Sequence, residues 1–336
     1  MIIQTTYDAS SAVPMCADYR IEIVRSSSAD RSGDAIAGAL NIVLRDGYSL
    51  DGGYLRVGAS QYPDDEIEPT LGAVWGGEAL GGQLLLGAST QGRRNPKRKF
   101  SQRFDAPGGS LDNTEVQTDT RSGDDYSFNL DYSAEVGPGR LALNAFYVRT
   151  DRIQEEDSIE YDAGVQADAS LLTINANDLD IRTDNYQLGA EYAWQGAGGE
   201  NRVRIGYAGI DDDQYEFEDE YEYLRDANPF PEDDRFTGDR TYLDIRDREL
   251  SGEIRHTRDV GGAELRFGLE ATRKDRDTAI TADRNRITIP NAPSPRPVIP
   301  GEFGPFLPVD GGLNTIEETR LEPFAKLSGS AGALEW

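Results

Sequence analysis

The constraint that most limits the fold is a strict alternation of apolar and polar side chains. In "DYSFNLDYSAEV", Asp125 to Val136, the residues Tyr126, Phe128, Leu130, Tyr132, Ala134 and Val136 fall on one side. Ser127, Asn129, Asp131, Ser133 and Glu135 fall on the other. A repeat of two is the period of an extended strand with one apolar face, and a helix of 3.6 residues per turn cannot reproduce it. The pattern recurs at Tyr186/Leu188/Ala190/Tyr192/Trp194, at Val203/Ile205/Tyr207 and at Ala263/Leu265/Phe267/Leu269/Ala271. Shorter versions occur at Leu55/Val57/Ala59, Leu71/Ala73/Trp75, Leu84/Leu86/Ala88, Leu141/Leu143/Ala145/Tyr147, Leu250/Gly252/Ile254 and Leu321/Pro323/Ala325/Leu327. The reading is an all-β chain of about ten strands.

Two kinds of connection join them. "GEALGG", "GPGR", "GAGGE" and "DVGG" are short and rich in glycine, as tight hairpins require. Between them lie long polar stretches at Gly92–Gly123, Ile153–Thr183, Asp213–Ile245 and Asp277–Glu317, which read as loops. Short turns at one end and long acidic loops at the other are the arrangement of a transmembrane antiparallel β-barrel, with turns in the periplasm and loops outside. No run approaches the ~20 apolar residues of a membrane helix, but a strand barrel needs none. With a formal charge of −27 the chain is a poor partner for nucleic acid. One cysteine, Cys16, excludes a disulfide framework, and there is no recognisable nucleophile elbow, HExxH or phosphate loop, so neither an enzyme nor a cofactor is expected.

The opening differs from this rhythm. "RIEIVRSSSADRSGDAIAGALNIVLRDG", Arg20 to Gly47, holds two short alternating runs around a polar linker. It resembles the end of the plug domain of TonB-dependent outer-membrane receptors, in which an R-I-E-V-x-R-G-P run leads through a Gly/Ala linker to G-x-I-N-I and the first barrel strand. Arg20, Ile21, Glu22 and Arg25 match the first part; Gly33, Gly38, Asn41 and Ile42 match the second. The family's Gly-Pro is Ser26-Ser27 here. The resemblance implies residues 20–47 as the C-terminal part of a plug, 48–336 as the first part of a barrel, and an unassigned segment 1–19. The family's barrel has about 22 strands around the plug, so ten strands imply a piece of a receptor, ending where an eleventh strand would start.

The resemblance further implies a bacterial outer membrane as location, its lipid as surroundings, a small scarce nutrient such as a ferric siderophore as ligand, and the TonB–ExbB–ExbD complex as energy source for the full-length receptor. The TonB box is absent from this sequence. By the same resemblance, charges of the plug such as Glu22 and Arg25 pair with charges on the barrel wall. The wall candidates, on the polar side of the alternating segments, are Glu191, Arg202, Arg204, Glu264, Arg266 and Glu270.

Other groups carry weaker signals. The acidic runs Asp211–Asp213, Glu218–Glu222 and Glu232–Asp234 have the oxygen ligands a hard cation prefers, without EF-hand spacing. Tyr215, Phe217, Tyr221, Tyr223, Phe230 and Phe236 are aromatics for ligand contact or packing, and the basic "GRRNPKRKF" could meet lipid phosphates. His256, the only histidine, falls on the apolar side. The competing reading is an acidic, surface-attached or secreted β-sandwich for binding or adhesion, in which the apolar faces of two sheets cover one another.

Overall fold

In the computed structural model, the described residues are 50–163, 166–196, 198–224, 233–289 and 307–331, with the backbone strands 20–24, 39–43 and 334–335. Two short strands come first. β1 (Arg20–Val24) pairs antiparallel with β2 (Ala39–Val43), placing Arg20 opposite Val43 and Glu22 opposite Asn41. Arg25, Gly33 and Gly38 lie outside the described residues.

One large antiparallel sheet follows: β3 (Gly52–Gln61), β4 (Ile67–Ala79), β5 (Gly82–Phe104), β6 (Leu111–Val136), β7 (Gly139–Asp162), β8 (Leu171–Gly196), β9 (Gly199–Glu222), β10 (Asp234–Val260), β11 (Ala263–Ile289) and β12 (Leu307–Ala331). Every strand pairs with its sequence neighbours, in an unbroken meander. A two-residue strand, β13 (Leu334–Glu335), pairs with Ser330 and Ala331 of β12. Among the described residues no pairing joins β3 to β12, so the sheet has two edges.

All ten alternating segments are strands, and all four glycine-rich motifs are two-residue turns. They turn at Leu80-Gly81, Gly137-Pro138 and Gly261-Gly262 and, between β8 and β9, at Gly198, with Leu80 at φ 54° and Gly81 at φ 79°. Both central residues with φ > 0 match the right-handed twist of the strands, and glycine reaches that region without a Cβ clash.

The long stretches expected to be loops are a correction. Gly92–Gly123 continues β5 to Phe104, turns through 105–110 and returns in β6. The other three stretches likewise hold the far halves of β7 and β8, of β9 and β10, and of β11 and β12. Strands of 24–27 residues run for roughly 80–90 Å at about 3.3 Å per residue. These segments carry charged residues on both faces, so mean hydropathy does not mark them as strands. Pairing does, because each extends the ladder of its neighbour without a break in register through most of its length.

Candidate functional site

The register aligns the apolar sides of all ten strands into one band. Leu55 sits opposite Ala73, Ala73 opposite Ala88, and Ala88 opposite Phe128. Leu143 lies between Tyr132 and Ala190, Ile205 between Ala190 and Gly252, and Ala271 between Gly252 and Leu321. These side chains are not packed against a second layer. Val57 is 74% exposed, Ile205 56% and Leu321 66%. Among the described residues the only other sheet, β1–β2, has two short strands.

Aromatic rings bound the band on both sides. Toward the two-residue turns stand Trp75, Tyr132, Tyr192 and Trp194, and the last two stack with centroids 5.3 Å apart. Their polar ends are engaged: the Tyr132 hydroxyl donates to the carbonyl of Leu80, and the Tyr192 hydroxyl to that of Val136, each at 2.9 Å. Toward the far end stand Tyr126, Tyr147, Tyr186 and Tyr207, with Tyr186 and Tyr207 5.9 Å apart. From Trp194 to Tyr186 the band spans about 27 Å along β8, or about 20 Å once the strand tilts by ~40°. His256 shares this face, 5.2 Å from Phe267 by ring centroids, with Nδ1 2.9 Å from the Asn201 amide oxygen.

Beyond the far aromatic row the same face turns charged within one residue pair. Arg149 is bonded to Asp151 at 2.8 Å, Arg248 to Asp211 at 3.1 Å, and Arg246 to Asp244 at 3.1 Å. The Tyr147 hydroxyl donates to Asp184 and the Tyr242 hydroxyl to Asp213. The change from hydrocarbon to ion pairs is therefore abrupt.

The polar face over the same height carries a charge network. Arg204 donates twice to Glu191, at 3.1 and 2.7 Å, and lies 3.8 Å from Glu253. Arg202 reaches Glu191 at 3.4 Å and Glu200 at 3.0 Å, and Arg255 reaches Glu253 at 3.4 Å. Of the six wall candidates, Glu191, Arg202 and Arg204 are thus brought together, while Glu264 and Arg266 form a separate pair at 3.1 Å within β11. Glu270 is in register between Glu253 and Glu322, among like charges. Glu253 and Arg255 complete the network and were missed, although the alternation about Ile254 already places them on the polar side.

Among the described residues, outside which Glu232 lies, the acidic runs do not converge. Alternation sends Asp211 and Asp213 to one face and Asp212 to the other, and separates Asp219 from Glu218 and Glu220. Among the described residues no group of three His, Cys, Asp or Glu is arranged to hold a metal ion. Asp219 is buried, and burial together with nearby Asp178 pushes its carboxyl above the usual range despite the Arg240 charge. Burial also raises Asp178, helped by Asp157 and Asp180.

Of the aromatics expected in loops, Tyr215, Phe217 and Tyr221 lie on β9, Tyr223 just after it and Phe236 on β10, and Phe230 lies outside the described residues. Tyr221 (1% exposed), Tyr223, Phe236 (0%) and Leu171 form the one buried apolar cluster among the described residues, with Ile159, Tyr161, Ile174 and Ile287 against it. Asp234 closes it, accepting from the Tyr221 hydroxyl and the Leu224 amide at 3.3 Å each. The basic "GRRNPKRKF" is likewise a strand, so its charges divide. Arg94 pairs with Asp64, while Arg93, Lys97 and Lys99 face the polar side and reach Asp125 and Asp119. No family model, no curated protein and no solved structure matches this chain.

Proposed function

We propose that β3–β12 are a section of transmembrane barrel wall, and that the chain is part of a TonB-dependent outer-membrane receptor for energised uptake of a small nutrient. The observation that carries the wall reading is the in-register apolar band, bounded on both sides by aromatic rows and backed by a charged face. An exposed apolar surface crossing ten strands is far larger than the few hundred Å² a water-soluble monomer tolerates. Lipid removes that cost, and tyrosine and tryptophan place their polar ends in the headgroup layer. The opposite face, with its Arg204–Glu191–Arg202 network, suits a water-filled lumen.

The receptor reading adds the plug-like opening. Its two runs pair as β1 and β2 directly before the wall, and they supply the residues Arg20, Glu22 and Asn41 that resemble the plug's end. TonB–ExbB–ExbD would act on the plug in the full-length receptor, and the nutrient would enter from the side of the long strand extensions. A sandwich for adhesion would instead need a second large layer over the band.

The test is accessibility in vesicles. With Cys16→Ser as background, a single cysteine replaces Gln187 on the polar face or Leu188 on the apolar face. A water-soluble maleimide should label the first and spare the second. Equal labelling of both refutes the wall. The uptake reading is tested in the producing bacterium, where deleting the gene should abolish proton-motive-force-dependent nutrient uptake; unchanged uptake of every ferric chelate and vitamin tried refutes it.

A further inference from the structure

On the polar face of β5, β6 and β7, beyond the far aromatic row, cations gather although the whole chain is strongly acidic. Lys97 and Lys99 lie 3.3 and 3.5 Å from Asp119, and Arg121 lies 3.8 Å from it. Arg93 and Arg152 both reach Asp125, the latter at 3.6 Å, and Thr150 donates to Asp125 at 2.9 Å. The ion pairs of five cations therefore converge on two carboxylates. Both carboxylates are sunk: Asp119 is 2% exposed, Asp125 8%. The cationic side chains stand proud of them, 38–55% exposed. Burial opposes the charge of Asp119, but Lys97, Arg121 and Lys99 overcome it and hold the carboxyl below its usual range.

At the centre is a gap. Gly123 is in register with Arg93 on one side and Arg152 on the other, and Arg121 is two residues along its own strand. A Cβ on Gly123 would sit 2.0 Å from the Asp151 carbonyl oxygen, and its φ of 152° is in glycine's range. The two flanking arginines thus have about 10 Å between their Cα atoms with no side chain between them. The only carboxylate in register beside Asp119 on β7 is Glu156, which accepts from Gln117. The acidic side of β9 is two strand spacings from β7, about 10 Å, a little more than a Debye length at physiological salt.

We infer that this dent is a binding site for a small polyanion bearing carboxylate or phosphate groups. Guanidinium forks match both groups bidentately, and the two lysines supply further positive charge at the rim. The site rests on the proposed reading of the polar face as lumen, and under that reading it makes an anionic nutrient the ligand class.

The test uses the full chain in lipopolysaccharide-free detergent micelles, titrated by calorimetry with citrate and, separately, with pyrophosphate. Binding of either supports the site, and which one binds assigns the carboxylate or phosphate chemistry. Arg93→Gln/Arg152→Gln should weaken binding at least tenfold, and Lys97→Gln/Lys99→Gln, which removes point charges rather than bidentate forks, about threefold. Arg276→Gln, on the same face of β11, should change it less than twofold. Raising salt from 50 to 500 mM should weaken binding about tenfold. No binding of either anion at millimolar concentration, or equal effects of the Arg276 and Arg93/Arg152 changes, overturns the inference. If maleimide labelling in vesicles follows the wall pattern while both anions fail to bind, only this site falls and the wall stands.

Discussion

Replacing Ile205 by arginine places a charge at the middle of the apolar band. Ile205 is on β9 between Ala190 and Gly252, two residues from Val203 and from Tyr207, and its side chain is 56% exposed. On a water-facing surface such a change alters stability by less than about 0.5 kcal/mol. At the midplane of a bilayer an outward arginine costs roughly 2–4 kcal/mol, because the charge loses its hydration and must reach the headgroups. The difference is about 30- to 700-fold in the folding equilibrium at ~1.4 kcal/mol per tenfold. Two controls fix the depth and the face. Gln187→Arg is on the polar side of β8, and Ser122→Arg is on the apolar band's face but beyond its far aromatic row. Both should stay within about 1 kcal/mol of the parent chain. The assay is reversible urea unfolding in lipid vesicles, followed by tryptophan fluorescence. If Ile205→Arg costs no more than the controls, the band does not face hydrocarbon.

Other expectations follow from local packing and charge. At Gly139 a Cβ would meet the Ala193 carbonyl oxygen at 2.3 Å, whereas at Gly209 it would meet the ring of Tyr186 at 2.4 Å. Gly139→Ala should therefore cost more than Gly209→Ala, by about 1 kcal/mol or more in the same urea assay, since a backbone carbonyl yields less than a side chain. Phe236→Ala removes the most buried ring of the far cluster and should cost about 3–5 kcal/mol locally. Hydrogen exchange should quicken at 159–163, 171–174, 221–224 and 234–236 while β8 and β9 within the band stay protected. Asp219 is raised in the folded state, so its favourable contribution is present below its unfolded pKa and lost as pH rises through the folded value. Asp219→Asn should accordingly raise the urea midpoint at pH 7 and reduce the difference between pH 4 and pH 7; an unchanged pH difference contradicts the assignment.

Ten strands and four turns were legible because each strand half near the turns alternates hydrocarbon with polar groups. The far halves were not, and "DDDQYEFEDEYEY" shows why. Tyr215, Phe217, Tyr221 and Tyr223 alternate with Gln214, Glu216, Glu218, Glu220 and Glu222, which is a strand pattern. Its five carboxylates between Asp211 and Glu218, with three more by Glu222, made it resemble a solvated loop instead when only hydropathy was weighed. What keeps it extended is pairing to β8 and β10, with Asn175 donating to Glu218 and Asn177 to Glu216, and such partners are invisible in a single segment. The wall network was half visible for a related reason. Alternation assigns a face to Arg202 and Arg204, but the register decides that Glu253, rather than Glu264, is within reach.

The claim that lipid covers the band is tested most directly by quenching with brominated lipids. With Trp336→Phe, the remaining tryptophans Trp75 and Trp194 are both in the aromatic row nearest the short turns. Lipids brominated near the headgroup should quench them strongly and those brominated at the chain ends weakly, with Trp placed at Ile205 showing the reverse order. Fluorescence unaffected by bromine at any depth, in vesicles that retain the protein, would contradict the account.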